Sequence, residues 1–244
     1  MHLRTICPTP PRLPGRATFR PLHWPTVTDT ANAATAAQTE YIIATTPADE
    51  VMRATRDDAA EFGLEAPDEI TGQLISTLAA AGSASKSSGA VLITPAAGVV
   101  GLYALRGLGE RQTVTCIDPE AEHQTHAKDA FRSSGYSPSR ARLLPSRPLD
   151  VLGRLAGGSY HLVYVDVSPL DLPAALEAAV PLLTPGGSIM VVNSLLDGTI
   201  ADSTRRDRDT VGARDADELA RSLDGVVVSR LPLGGGVTLL TRTA

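Results

Sequence analysis

Chemistry in this chain is to be sought first where apolar runs end in polar residues. The run Val91-Leu92-Ile93 opens into Thr94-Pro95-Ala96-Ala97-Gly98-Val99-Val100-Gly101. Glycines at such a turn let backbone N–H groups approach a nucleotide-type ligand, and Gly98 and Gly101 are the two present; the same spacing also suits a plain tight turn from strand to helix. The next run, Val114-Thr115-Cys116-Ile117, ends in Asp118. A carboxylate at the end of a second strand, about 20 residues past the loop, can accept hydrogen bonds from both hydroxyls of a ribose; the competing reading of Asp118 is an N-cap for the following helix.

Other reactive groups are sparse. Among the 22 basic residues only Lys86 and Lys128 are lysines, so an amine base or a Schiff base has two candidates. Cys7 and Cys116 stand in unlike contexts, a Pro-rich stretch and an apolar run, and build neither a disulfide framework nor a zinc cluster; a reducing cytoplasm is the expected location. His123 and His126 are spaced i,i+3, but Glu122 and Lys128 mark a wet helix face with no third ligand, so both are expected on the surface. His161, at the start of an apolar run, reads as structural. The formal net charge of -5 offers no global positive field to a nucleic acid backbone or an anionic membrane. No run approaches the roughly 20 apolar residues of a membrane-spanning helix.

These groups need a scaffold, and 244 residues that are 43% hydrophobic suffice for an ordinary core. From Ala90 onward, strand-like runs alternate with helical segments. Val91-Leu92-Ile93 precedes a helix over 99–108, Val114 to Ile117 one over 121–134, and Ala141 to Leu144 one over 149–155. Leu162 to Val167 precedes a helix over 172–183, and Ile189 to Val192 one over 207–223. That alternation predicts an α/β fold, a mostly parallel sheet covered on both faces, with ligands bound outside the C-terminal ends of its strands. The end differs: Val226-Val227-Val228 and Val237-Thr238-Leu239-Leu240, joined through Leu231-Pro232-Leu233-Gly234-Gly235-Gly236, predict an antiparallel hairpin.

Ahead of the sheet, Thr46-Pro47 followed by Asp49 and Glu50 predicts an N-cap, a first-turn proline and acids at the positive helix end, with the helix stopping before Gly63. Asp68 is expected to cap a second helix whose Ile70, Leu74 and Leu78 share one face, running out in the Gly/Ser-rich stretch from Gly82 to Gly89. Residues 1–37, with Pro8, Pro10, Pro11, Pro14, Pro21 and Pro25, are expected to be a disordered leader, and residues 38–244 a single domain.

Six blocks then share one pattern: Glu69-Ile70-Thr71-Gly72-Gln73-Leu74, Gly98-Val99-Val100-Gly101-Leu102, Ile117-Asp118-Pro119-Glu120-Ala121-Glu122-His123, Ser137-Pro138-Ser139-Arg140, Leu162-Val163-Tyr164-Val165-Asp166 and Leu183-Thr184-Pro185-Gly186-Gly187. In order and spacing the chain from about residue 40 to 243 resembles the catechol O-methyltransferase-like family of S-adenosylmethionine-dependent methyltransferases, in a small branch from high-GC actinobacteria. The resemblance implies a Rossmann-like seven-stranded sheet, S-adenosyl-L-methionine as cofactor, methyl transfer to an oxygen of a small-molecule acceptor, and a homodimer.

Carried over position by position, the resemblance is uneven. Where the family's first loop reads Glu-x-Gly-Thr-Gly-x-Gly, this chain has Leu92 to Gly98, without the acid and with two glycines replaced; Thr94, Pro95, Gly98 and Val100 are the matched positions around the methionine end of the cofactor. Asp118 falls on the family's ribose carboxylate, Pro119 on the adjacent adenine contact, and Ser146 and Arg147 where the family frames the adenine. Metal-dependent members place an Asp on Mg²⁺ and a Lys as general base after the fourth strand; Asp166 matches the first, and Pro169 replaces the second. Their Asp-Asn pair after the fifth strand is here Val192-Asn193, so Asp166 and Asn193 are what remains of a Mg²⁺ site. Asp166 is accordingly expected to orient the acceptor oxygen. The replaced residues also suit a second reading, a cofactor-binding or regulatory protein of the same fold without transfer activity. A dinucleotide-dependent oxidoreductase is disfavoured by the missing glycines and the terminal hairpin.

Overall fold

The computed structural model describes residues 27–84 and 86–243. Cys7, Trp24 and the Pro-rich part of the leader lie outside them. The chain divides between Tyr41 and Ile42 into two units, and the second holds the sheet. The expected leader is shortened by helix α1, Val27–Thr45. The physical reason lies in composition, since the prolines stop at Pro25 and the Ala- and Thr-rich stretch that follows has neither Pro nor Gly to oppose a helix.

Two helices lead into the sheet, α2 (Glu50–Glu61) and α3 (Glu69–Ala81). The N-cap of α2 is Asp49 rather than Thr46: its side chain accepts from the Met52 N–H at 2.9 Å, leaving Pro47 outside the helix. Asp68 caps α3 as its position predicts, 2.7 Å from the Thr71 N–H. The most buried stripe of α3 is Thr71, Gly72, Ile75 and Ala79, with Ile70, Leu74 and Leu78 only half-buried beside it. Small residues explain the difference, because a side chain at Gly72 would collide with the Tyr103 ring, its Cβ falling 2.2 Å from that ring.

The sheet then follows the expected alternation, with β1 (Gly89–Ile93), α4 (Ala97–Gly107), β2 (Thr113–Ile117), α5 (Ala121–Ser133), β3 (Ala141–Leu144), the short α6 (Pro148–Val151), β4 (Tyr160–Val165), α7 (Leu172–Ala179), β5 (Leu183–Val191), α8 (Arg208–Ser222), β6 (Val226–Leu231) and β7 (Val237–Arg242). Strand order is β3-β2-β1-β4-β5-β7-β6, parallel through β5 and antiparallel at β7 and β6. This is the Rossmann-like doubly wound sheet closed by a C-terminal hairpin.

Side-chain alternation along each central strand feeds a core on either face. Leu92, Leu162, Tyr164 and Met190 pack with helices α2 to α5, whereas Val91, Ile93, Val163, Val165, Ile189 and Val191 pack with α7 and α8. His161 is structural, its Nε2 2.9 Å from the Ala79 carbonyl and its Nδ1 bonded to Ser87. No described helix is long and apolar enough to cross a membrane.

Candidate active site

Register aligns the C-terminal strand ends. Leu144, Ile117, Ile93, Val165 and Val191 are successive partners across β3, β2, β1, β4 and β5. The next residues therefore form a row, with Asp118, Thr94 and Asp166 each one position beyond the aligned ends of three adjacent strands, about 4.8 Å apart per strand. Ser146 and Asn193 stand two positions beyond the ends of the flanking strands. The sheet thus brings to one edge residues separated by up to a hundred positions.

Asp118 is buried at 6% exposure. Its Oδ2 lies 2.7 Å from Nδ1 of His123, in the first turn of α5, and the Phe62 ring meets the imidazole edge-on at 5.9 Å. Burial pushes the Asp118 carboxyl above the usual carboxylate range, while the hydrogen bond and charge of His123 pull the other way. His123 is therefore not a solvated surface residue: packed against Phe62 and tied to Asp118, it orients the carboxylate. His126 does remain exposed. The signal that could have found His123 is its place in the first turn of a helix directly after a strand-ending acid. One carboxylate oxygen is bound by His123, but a carboxylate has about four lone-pair sites, so acceptor capacity for a ribose diol remains. Pro119 and Arg147 are exposed and Ser146 half-buried nearby along the sheet edge.

The loop after β1 is packed rather than open. A Cβ at Gly98 would lie 3.0 Å from the Thr55 methyl, and one at Gly101 would fall 2.3 Å from the Phe131 ring. Val100 is fully buried in the core. These glycines let α4 approach α2 and α5, the plain-turn reading of the spacing. Thr94 is 2% exposed; its hydroxyl donates to Asp166 Oδ2 at 2.9 Å and accepts from the Ala96 N–H at 3.2 Å. Pro95 borders a crevice of only about 20 Å³ with Gly98 and His123.

Past Asp166 the edge opens into a cavity of about 190 Å³. Asp166, Asn193, Tyr164, Glu65 and Asp68 line it with the apolar Val192, Leu233 and Val237. Burial pushes the Asp166 carboxyl above its usual range; the Thr94 bond opposes this and the charge of Glu65 adds to it. Asn193 is in the left-handed region at φ 52°, tolerable for a short polar side chain, and holds its amide beside Gly235. Among the described residues no three His, Cys, Asp or Glu side chains converge as metal ligands. Asp166 and Asn193 offer two oxygen donors, so a Mg²⁺ held there would complete its six ligands with water and acceptor oxygens. Glu65, Asp68 and Tyr164 were not legible as site residues, although Tyr164, two positions before Asp166, shares its face of β4.

No family model matches the chain. A Mycolicibacterium vanbaalenii protein classed among the O-methyltransferases is 38% identical over 197 residues, covering 80% of this chain and 84% of that protein. The crystal structure of a Corynebacterium glutamicum protein is 57% identical, with a TM-score of 0.84 over 86% of this chain and 98% of that one. The O-methyltransferase TomG of Streptomyces achromogenes, in complex with S-adenosylmethionine, is 22% identical and shares the fold, with a TM-score of 0.76 over 86% of this chain and 96% of that one. The chain belongs to the catechol O-methyltransferase-like family of S-adenosylmethionine-dependent O-methyltransferases, among actinobacterial relatives.

Proposed function

We propose that residues 38–244 form a domain that transfers the methyl group of S-adenosyl-L-methionine to an oxygen of a small acceptor seated in the cavity beside Asp166. The observation that carries this reading is the register-aligned row Asp118, Thr94, Asp166, which runs from a buried carboxylate suited to a ribose directly into a cavity. Asp118, oriented by His123, accepts the ribose hydroxyls; Pro119, Ser146 and Arg147 frame the adenine; Thr94 and Pro95 border the methionine end. When bound, the cofactor supplies a sulfonium methyl group, and S-adenosylhomocysteine is left once an acceptor oxygen has taken it.

The chain's own task is positioning. Val192, Leu233 and Val237 wall the cavity, and an oxygen held at attack distance supplies much of the rate of an in-line displacement. Thr94 holds Oδ2 of Asp166, which leaves the other oxygen to accept the hydroxyl hydrogen of the acceptor. With its pKa raised by burial, that carboxylate is better matched to receive the proton as the O–C bond forms. No step requires Mg²⁺. Pro169 in the place of a Lys, together with the packed loop, favours the second reading, binding without transfer.

Calorimetry with S-adenosylhomocysteine tests the assignment. The full chain should bind it, and Asp118→Ala should weaken binding by about 1.5–3 kcal/mol, the scale of hydrogen bonds to a charged group. Unchanged affinity in the variant overturns the cofactor site. Methyl transfer to phenolic acceptors should persist in EDTA; tight binding with no turnover of any acceptor selects the second reading.

A further inference from the structure

The cavity beside Asp166 carries carboxyl groups that no cationic side chain among the described residues pairs with. Glu65 and Asp68 stand exposed at its mouth and Asp166 lies deeper, while no Lys, Arg or His lines it. None of these three carboxylates joins an ion pair among the described residues. Asp68 spends acceptor capacity on the α3 cap and Asp166 on Thr94, and both carboxyl groups face the same space.

A second observation is independent of that charge. Tyr164 is 1% exposed and lines the cavity, and its phenolic oxygen has no hydrogen-bond partner among the described residues. Its hydroxyl is not one of the sealed, unbonded polar atoms of the described residues, which are Gln124 Oε1 and Arg140 Nη2, so the oxygen opens onto the cavity itself. Strand alternation places it on the face of β4 that carries Asp166, so the missing partner is one that enters the cavity.

We propose that the cavity takes an acceptor bearing a protonated amine in addition to the hydroxyl to be methylated, with the ammonium held between Glu65 and Asp68 and the Tyr164 hydroxyl bonded to a polar atom of the acceptor. An ammonium brings three donors and no acceptor, which suits carboxylates without a cation of their own. Low-dielectric walls concentrate the field of the carboxylates at the mouth, so a cationic acceptor is drawn in and an anionic one repelled. This inference rests on the methyl-transfer reading for the role of the hydroxyl, and on the cavity alone for the preference in charge.

Three phenols that differ in charge test it: tyramine, its neutral N-acetyl derivative and 4-hydroxyphenylacetate, titrated into the full chain with and without S-adenosylhomocysteine. Tyramine should bind at least about tenfold more tightly than the neutral compound, a difference of about 1.4 kcal/mol, and the carboxylate most weakly. Glu65→Gln, an exposed change at the mouth, should shrink the ratio of tyramine to neutral affinity several-fold, and Tyr164→Phe should weaken both compounds alike. Equal or reversed affinities, a ratio untouched by Glu65→Gln, or a preference abolished by EDTA overturns the proposal. Charge preference without S-adenosylhomocysteine binding would overturn the methyl-transfer reading alone, and binding of S-adenosylhomocysteine without charge preference would overturn this one alone.

Discussion

The two halves of the sheet edge have been treated differently. At the ends of β1 and β2 the loop is filled: Gly98 and Gly101 admit Thr55 and Phe131, Val100 is core, and the Asp118 carboxylate already has a partner in His123. At the ends of β4 and β5 the chain leaves a cavity of about 190 Å³ lined by carboxylates that join no ion pair among the described residues and by a phenol whose oxygen opens onto it. A glycine that is needed by a neighbouring helix says little about a ligand, because close packing between elements uses the missing side chain as fully as a bound molecule would. A polar atom that opens onto a cavity without a protein partner says more, since what enters the cavity can meet it.

Thr94 ties the two halves together, and removing its hydroxyl is the largest break. Thr94→Val deprives the buried Asp166 carboxylate of its donor and should destabilise the fold by about 1.5–3 kcal/mol in denaturant unfolding, the scale of a bond to a charged group. It should also raise the Asp166 pKa further, visible as an alkaline shift in the pH profile of turnover. A variant as stable as the parent would show that the halves are independent.

Gly101→Ala sharpens the packing side of the contrast. The added methyl meets the Phe131 ring, so unfolding should show a loss of about 1–3 kcal/mol from overpacking. If S-adenosylhomocysteine affinity fell sharply with the melting temperature intact, the glycine would belong to the ligand and the contrast would fail.

Asp166→Asn should produce the smallest change and one of opposite sign. A carboxyl whose folded pKa is raised favours the folded state below its unfolded value near about 3.9 and loses that contribution as pH climbs through the folded pKa. Replacing it with a neutral amide that can still accept from Thr94 should therefore raise Tm at pH 7 and leave it nearly unchanged at pH 3.5, while acceptor turnover drops. A lower Tm at pH 7 would mean that the charge is compensated in solution.

Local physics made much of the scaffold legible in order along the chain. Asp68 and the alternating apolar runs act on neighbours within a few residues, and Asp118, Asp166 and Asn193 could be placed at strand ends because the end of an apolar run is itself a local signal. The α2 cap was harder, since Thr46 and Asp49 both satisfy the pattern and only the backbone chooses between them. Tertiary structure alone decided what those strand ends face. Glu65 and Asp68 reach Asp166 across about a hundred residues through the docking of α3 on the sheet, Gly98 and Gly101 turned out to serve helix packing, and His123 gained burial only because Phe62 covers it. Composition and spacing carry propensity and periodicity, whereas a cavity or a shielded carboxylate is set by distances between elements that no short stretch of sequence encodes.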